Sequence, residues 1–326
     1  MAGKKPEFKN KKFYYRRAKW DGQGKNTLQK LLEDAHKQLD TVGKRTFEVS
    51  TGAEIRGANF KDDNGLYLQI ASYVPGEATS IIDKDKAAKI SNVAAQNAPA
   101  GKDYLDGDIF VYIKGNHVIL CPSGAREKVV ELYIWHILRA CNHKEIAKTF
   151  ELDKVAKASK LKMIRDEGVK EVDLDTSLYE ASLIHLDKGK PKVSSLKKAV
   201  ADQLSAIFGK DKELKDIKEK ENLNLKISIK FDGMAARRHS KEPHFGDAGR
   251  KRLEKTAEQI IEEFEKDDEN GFVIVTGANN RITSEEIRVS DSFRVKTLGK
   301  SLSRESAWQK LNEYYDRLNA DGVFKQ

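Results

Sequence analysis

The sequence predicts an α+β protein in which helices pack on antiparallel or mixed sheets, with the two halves of the chain as candidate subdomains. Strand-like and helix-like segments alternate along the 326 residues without the regular spacing of βαβ units. Two hairpin signals favour antiparallel pairing: the turn at residues 62–65 and the "KGN" turn inside "GDIFVYIKGNHVILC". Several other segments carry apolar residues at helical spacing, which supplies the helical part of this class.

The first half of the chain predicts a β-α-β-β opening followed by a core helix. Residues 12–20 alternate and are rich in aromatics, which indicates a strand that ends at a glycine-rich turn. The segment "NTLQKLLEDAHKQLD" predicts a helix whose N-cap is Asn26 or Thr27. We expect residues 75–107 to form a loop with a short helix in "DKDKAAKISNVAAQ", and residues 125–150 to form a long apolar helix.

The second half repeats this mixture of strands and helices. Strands are predicted in "SLYEASLIHL", "LNLKISIKF", "GFVIVTG" and "EIRVSDSFRVKTL". Helices are predicted in "SSLKKAVADQLSAIFG", "RKRLEKTAEQIIEEFEK" and "SRESAWQKLNEYYDRLNA". A Gly-Lys-Pro breaker at residues 189–191 separates the halves, so we expect an N-terminal region over 1–190 and a C-terminal region over 191–326.

Positive charge is concentrated at the N-terminus. The formal net charge is +9, and the first 20 residues contain eight Lys or Arg against the single acid Glu7. This distribution attracts polyanions, among which nucleic acid is the first candidate. The aromatics of "KNKKFYYRRAKW" (Phe13, Tyr14, Tyr15 and Trp20) are either core residues or platforms for stacking single-stranded bases. A phosphate-facing arm explains its cations, which are Lys11, Lys12, Arg16, Arg17 and Lys19.

Two further basic clusters lie in the second half of the chain. In the later one, charged residues alternate with Val289, Phe293 and Val295, which is typical of a strand with one apolar and one charged face. Each cluster is either a phosphate-binding surface or an ordinary solvated surface neutralised by nearby acids. The earlier cluster contains Arg237, Arg238, Lys241, Arg250, Lys251 and Arg252, and the later one contains Arg281, Arg288, Arg294 and Lys296.

A nuclease is the alternative from a different functional class. Arg238 and His244 in "RHSKEPH" have the loose spacing of HEPN-type ribonucleases, whose Arg and His polarise a phosphate and transfer protons. Those enzymes carry the motif in an all-helical domain, whereas here it follows a predicted strand and contains Pro243. A basic loop is therefore the favoured interpretation. We expect no enzyme, since the phosphate loop, the nucleophile elbow and the HExxH pair are also absent from the sequence.

The sequence predicts a reduced, cytoplasmic protein without a metal site. It has two cysteines, Cys121 and Cys141, no secretory signal and no apolar segment long enough to span a bilayer. The spacing of these cysteines from His117, His136 and His143 does not match a zinc module. We therefore expect no bound metal and no direct membrane insertion, and any connection with a membrane would come through a partner.

Several sequence segments occur along the chain in an order that is typical of a known family. They are "FYYRRAKWDGQGKNTLQKLLEDAHKQL" followed by a hairpin, the strand "GDIFVYIKG", the helix "VADQLSAIFGKDKEL" before "LKISIKF", and the closing "AWQKLNEYYDRLNADGVF". In this order they resemble the RexA family of temperate-phage exclusion proteins. The resemblance implies an α+β homodimer without an enzymatic cofactor that binds DNA with little sequence preference. It also implies an antiphage sensor that works with a small membrane partner, which depolarises the host.

The sequence departs from the family pattern in "GFVIVTGANNRI", which is more apolar than expected. This departure shifts the predicted DNA contacts to Arg237, Arg238, Arg281, Arg288, Arg294 and Lys296. We expect duplex DNA to bind in preference to a single strand. A scaffold whose basic regions bind an acidic protein is the third alternative, and the sequence does not decide against it.

Overall fold

The computed structural model describes residues 7–50, 52–177, 224–231, 247–266 and 271–325. Its helices and antiparallel sheets confirm the predicted α+β class. Within these ranges, no helix combines the length and the apolar composition that a bilayer crossing requires.

The chain forms two compact units, and each has its own sheet. One unit comprises Met1–Asp153 together with Ser290–Gln326, and the other is Lys154–Val289. This division differs from the expected boundary at residue 190. The difference arises because the last strands and the last helix return to the N-terminal sheet, so the second unit is an insertion in the first.

The first unit is built on one large sheet with helices on both faces. Its elements in chain order are β1 (Phe8–Lys19), α1 (Leu28–Gln38), β2 (Thr46–Ser50), β3 (Ala53–Asp62), β4 (Leu66–Tyr73), β5 (Thr79–Ile82), β6 (Val93–Gln96), β7 (Gly107–Lys114), β8 (His117–Ser123), α2 (Lys128–Ala140), α3 (Lys144–Thr149), β9 (Glu151–Lys154), β14 (Ser290–Leu298), β15 (Ser301–Leu302) and α7 (Arg304–Ala320).

The large sheet has the strand order β15-β14-β1-β8-β7-β4-β3-β2, and β9 also pairs with β1. Side chains alternate between its two faces, as strand geometry requires. Leu68 and Val111 belong to the apolar core formed with α1 and α2. Their neighbours Tyr67 and Tyr112 instead contact aromatic side chains of α7. Helices α1 and α2 therefore cover one face, over β2, β3, β4 and β7, and α7 covers the other.

The second unit has a smaller antiparallel sheet. Its elements are α4 (Ala158–Glu167), β10 (Val169–Ser177), β11 (Asn224–Lys230), α5 (Asp247–Lys266), β12 (Phe272–Thr276), β13 (Arg281–Thr283) and α6 (Ser284–Ile287). The strand order is β11-β10-β12-β13, and the core includes Val172 and Ile274 of the sheet with Leu253 and Ala257 of α5.

The predicted long helix over 125–150 is wrong, because two shorter helices, α2 and α3, occupy this segment. Asn142 has a left-handed backbone, with φ of 65°. The His143 amide then donates to the Leu138 carbonyl oxygen at 2.8 Å. A left-handed Asn immediately after a helix is a common way to satisfy its last carbonyl groups. Apolar residues recur at helical spacing on both sides of this break, so the sequence pattern did not indicate that α2 ends there.

The predicted short helix in "DKDKAAKISNVAAQ" is also wrong. Residues 93–96 form β6, which pairs with β5. The Asn92 amide donates to the Asp83 carboxylate at 3.1 Å, and the Asp83 amide donates to the Asn92 carbonyl oxygen at 3.3 Å. These bonds close a hairpin, so pairing between strands overrides the local helix preference of the Ala and Lys residues.

A close contact joins the sheet to α1 and α2. A Cβ atom at Gly57 of β3 would lie 2.0 Å from the Tyr133 hydroxyl oxygen of α2, so only glycine fits there. That hydroxyl lies 3.1 Å from Nε2 of His36, and Nδ1 of His36 lies 2.7 Å from the Leu32 carbonyl oxygen. Because the carbonyl can only accept, Nδ1 carries the proton and Nε2 accepts from Tyr133. Burial lowers the pKa of His36 to about 4 and keeps the ring neutral.

Acid should destabilise the fold through His36. Its pKa is lower in the folded chain than the ordinary value of 6.5, so between about pH 6.5 and 4 only the unfolded chain binds the proton. The His36 contribution to stability is therefore complete above about pH 6.5 and should fall by about 3 kcal/mol towards pH 4. Urea unfolding at several pH values measures this loss. The substitution His36→Gln should reduce the loss, and an unchanged pH dependence in the variant would contradict this role.

Candidate nucleic-acid interface

The first and last parts of the chain meet in the pairing of β1 with β14. The register is antiparallel, with Phe8 opposite Lys296, Asn10 opposite Arg294 and Lys12 opposite Ser292. Residues directly opposite each other share a face of the sheet. The pairing therefore brings N-terminal and C-terminal cations together, although they are far apart in the sequence.

One face of this strand pair is buried under α7. Phe13 and Phe293 are in contact, with ring centroids 4.9 Å apart, and both pack against Tyr314 of α7. Asp291, the acid of β14, also lies on this face and forms an ion pair with Arg317 of α7. Tyr15 continues the packing with Phe324 and His117. These contacts confirm the core interpretation for Phe13 and Tyr15.

The opposite face of the strand pair is open, and we call it the open face. Asn10, Ser292, Arg294 and Lys296 are exposed, while Lys12 is half-buried. The residues paired on this face include no Asp or Glu. Its members in the β1–β14 register are Phe8, Asn10, Lys12, Tyr14, Ser290, Ser292, Arg294 and Lys296. The open face is therefore a positively charged surface with hydroxyl and amide groups between the cations.

Two apolar side chains on the open face were missed in the sequence analysis. Phe8 is 43% exposed, and Leu298, which follows Lys296 on the same face, is 70% exposed. The guanidinium carbon of Arg294 lies 5.2 Å from the centre of the Phe8 ring. Phe8 precedes the predicted strand over 12–20, but β1 begins at Phe8. The sequence signal for this earlier start was the two-residue spacing of Phe8, Asn10, Lys12 and Tyr14, which places all four on one face of a strand.

Arg16 and Lys19, two other cations of β1, form ion pairs with acids of the protein itself. Arg16 is buried; it forms an ion pair with Glu127 and donates to the Tyr15 carbonyl oxygen at 2.9 Å. Lys19 forms an ion pair with Asp153. Of the five predicted phosphate ligands in β1, Arg16 is therefore corrected to a structural residue, because its charge is neutralised inside the fold.

Lys11 and Arg17 lie on the face that α7 covers, and both are half-buried. Burial raises the pKa of the Asp108 carboxyl group, whereas hydrogen bonds from Ser301 and Gln69 and the charge of Lys11 lower it. Burial, with a smaller contribution from the charge of Arg17, lowers the pKa of His117 to about 4. Both cations thus contribute to the electrostatics of the buried side of the sheet, which leaves Lys12 as the β1 cation on the open face.

The second unit carries a separate set of cations. Arg250, Lys251 and Arg252 are exposed in the first turns of α5, and Arg281 is exposed on β13.

Arg288 is buried outside the strand β14 and forms an ion pair with Glu285 at 3.2 Å. The predicted strand began too early, at Glu286, because Thr283 and Glu286 form a capping box that begins α6, and β14 begins only at Ser290. Arg288 is therefore corrected to a structural residue.

The remaining predicted site residues lie outside the described ranges. They are Arg237, Arg238 and Lys241 of the first C-terminal cluster, and His244 of the nuclease alternative. The contacts of these residues stay predictions from the sequence.

The candidate zinc ligands take ordinary packing positions. Cys121 and Cys141 are buried free thiols, and burial raises the pKa of Cys121 to about 12. His117 accepts or donates a hydrogen bond with the Tyr15 hydroxyl at 2.7 Å, and His136 stacks on Phe47. In the part of the chain that the structure describes, no group of three His, Cys, Asp or Glu residues is arranged to hold a metal ion.

Comparison with known proteins gives no family assignment. No model of a known protein family matches the chain, and no curated protein sequence matches it.

Arg16 and Arg294 should respond differently to substitution. Breaking the buried ion pair by Arg16→Met leaves Glu127 without its partner, so the free energy of unfolding should fall by about 3 kcal/mol. The exposed Arg294→Met should change it by less than about 0.5 kcal/mol. Urea unfolding at neutral pH measures both values. Equal stability of the two variants would show that Arg16 is not held by this pair.

Proposed function

We propose that the protein binds DNA without sequence preference, through phosphate contacts to the open face of β1 and β14. The observation that carries this proposal is the convergence of Lys12, Arg294 and Lys296 on one face without an acid among its paired residues. Cations spaced along adjacent strands are suited to contact successive phosphates of a backbone. The Ser292 and Asn10 side chains supply further hydrogen-bond donors for phosphate oxygens.

The start of α5 is a second candidate surface for phosphate. Arg250, Lys251 and Arg252 are exposed near the positive end of the helix dipole, where a cation is unfavourable unless an anion is close. A bound phosphate backbone would supply that anion. An acid of the protein itself would do so equally well, and therefore this surface ranks below the open face.

The biological role in the proposal rests on the resemblance to the RexA family. On that basis, the protein acts in the cytoplasm as a DNA-binding sensor in phage exclusion, forms a homodimer and works with a small membrane-protein partner. The two buried free thiols are compatible with a reducing compartment. The nuclease that uses Arg238 and His244 stays an alternative from the sequence.

Neutralising the open face should weaken DNA binding and its salt dependence together. Each phosphate neutralised by a cation contributes about −0.9 to the slope of log K against log salt concentration for duplex DNA. The double substitution Arg294→Gln/Lys296→Gln should therefore reduce that slope by about 2 and lower the affinity at low salt. Fluorescence anisotropy with one duplex at several salt concentrations measures both effects.

The matched control removes two cations from an exposed helix face. Lys30 and Lys37 are exposed on α1, two turns apart, and Lys30→Gln/Lys37→Gln changes the net charge by the same amount. This control should retain the wild-type slope. If both double variants lose affinity equally, net charge rather than the open face attracts DNA. A denaturing gel of the same samples tests the nuclease alternative, since that alternative requires shortened DNA.

A further inference from the structure

The open face carries aromatic and apolar groups that phosphate binding does not need. Phe8 and Leu298 are exposed beside Arg294 and Lys296, and Tyr14 is half-buried beside Lys12. Exposed apolar side chains mark surfaces that bind a ligand, and beside cations they suit a ligand with both apolar and anionic parts. A nucleic acid strand has both, since its bases are apolar on their faces and its backbone is anionic.

The rings on the open face are paired with cations. The ammonium nitrogen of Lys12 lies 5.6 Å from the centre of the Tyr14 ring, and the guanidinium carbon of Arg294 lies 5.2 Å from that of Phe8. Unstacked bases bind both to aromatic rings and to the planes of Arg guanidinium groups. Each ring and its cation can therefore hold one base and its phosphate. Phe8 and Tyr14 are six residues apart on β1, which corresponds to about 20 Å along the strand.

This arrangement of rings and cations favours one of two forms of nucleic acid, the duplex or the single strand. In a duplex the base faces are stacked on one another, so a ring on a sheet surface reaches only the backbone and the base edges. In a single strand the faces are free, and exposed aromatics on a sheet are the usual platform for them. Stacking is tolerant of sequence because every base has a π-face. The aromatic groups on the open face thus have a use with a single strand that they lack with a duplex.

We propose that the open face prefers single-stranded nucleic acid, whose bases stack on Phe8 with Arg294 and on Tyr14 with Lys12. This inference rests on the proposed function, because the same cations hold the backbone. It reverses the expectation from the sequence that duplex DNA binds in preference to a single strand. Leu298 extends the apolar surface at the Phe8 end.

The test compares Phe8→Leu with a matched control on another strand. Leucine keeps the apolar bulk at position 8 and removes the ring. Phe60 on β3 is 45% exposed, against 43% for Phe8, and it also has an Arg close to its ring, with the Arg45 guanidinium carbon 5.1 Å from the ring centre. Phe60→Leu therefore repeats the same chemical change away from β1 and β14. Thermal melts check that both variants fold.

The probes are a labelled oligo-dT, an oligo-U of equal length and a DNA duplex of equal length, titrated with the full chain at fixed salt. The wild-type protein should bind the single strands more tightly than the duplex. Phe8→Leu should lower the affinity for a bound single strand about tenfold, whereas duplex affinity should change less than twofold. Phe60→Leu should bind all three probes as the wild type does. Comparison of oligo-dT with oligo-U identifies whether DNA or RNA is the stronger ligand.

Two results would overturn the inference, and they separate it from the proposed function. If single strands and duplex bind equally and Phe8→Leu has no effect, stacking is wrong while phosphate binding stands. If the wild-type protein binds none of the probes at low salt, both proposals are wrong. The substitution Arg294→Lys provides an independent check, because it keeps the charge and removes the planar group. It should weaken single-strand binding and leave the salt dependence unchanged.

Discussion

The antiparallel pairing of β1 with β14 is the constraint on which the account of this protein depends. It extends the large sheet by joining strands from the two ends of the chain, and everything from Lys154 to Val289 is inserted between them. Its register decides which cations share a face. A shift of one residue would send Arg294 and Lys296 to the side covered by α7 and place Phe293 and Val295 in solvent. Burial of Phe293 against Phe13 and Tyr314 therefore maintains the exposed cationic surface on the other side.

The open face exists because the helices cover the sheet unevenly. Helices α1 and α2 bury the β2, β3, β4 and β7 part of one face, and Arg16 with Glu127 marks the point where this covered region ends. Towards Phe8 the same side of the sheet becomes exposed. In the proposed function, stability and nucleic-acid binding are thus divided between residues of one strand. Buried Arg16 is neutralised within the fold, whereas half-buried Lys12, four residues earlier, shares the open face with Arg294 and Lys296.

The sequence predicted the local structure better than it predicted the site. Alternation and turn residues identified the α+β class and the hairpins, and Thr27 caps α1 by accepting from the Lys30 amide. Alternation also assigns Phe293 and Val295 to one face and Arg294 to the other, as the structure shows. The partner of β14 is β1, nearly the whole chain away, and no local pattern encodes such a pairing. For the same reason the burial of Arg16 and Arg288 was not predicted, since it depends on acids and helices brought close by the fold.

Lysine footprinting tests the central claim most directly, since it asks which surface nucleic acid covers. The full chain is acetylated with and without a saturating oligonucleotide, and the modified peptides are quantified by mass spectrometry. We expect protection of Lys12 and Lys296, with unchanged modification of Lys30 and Lys37 on α1. Protection confined to Lys251 and Lys255 of α5, or no protection of Lys12 and Lys296 in a sample that binds the oligonucleotide, would contradict it.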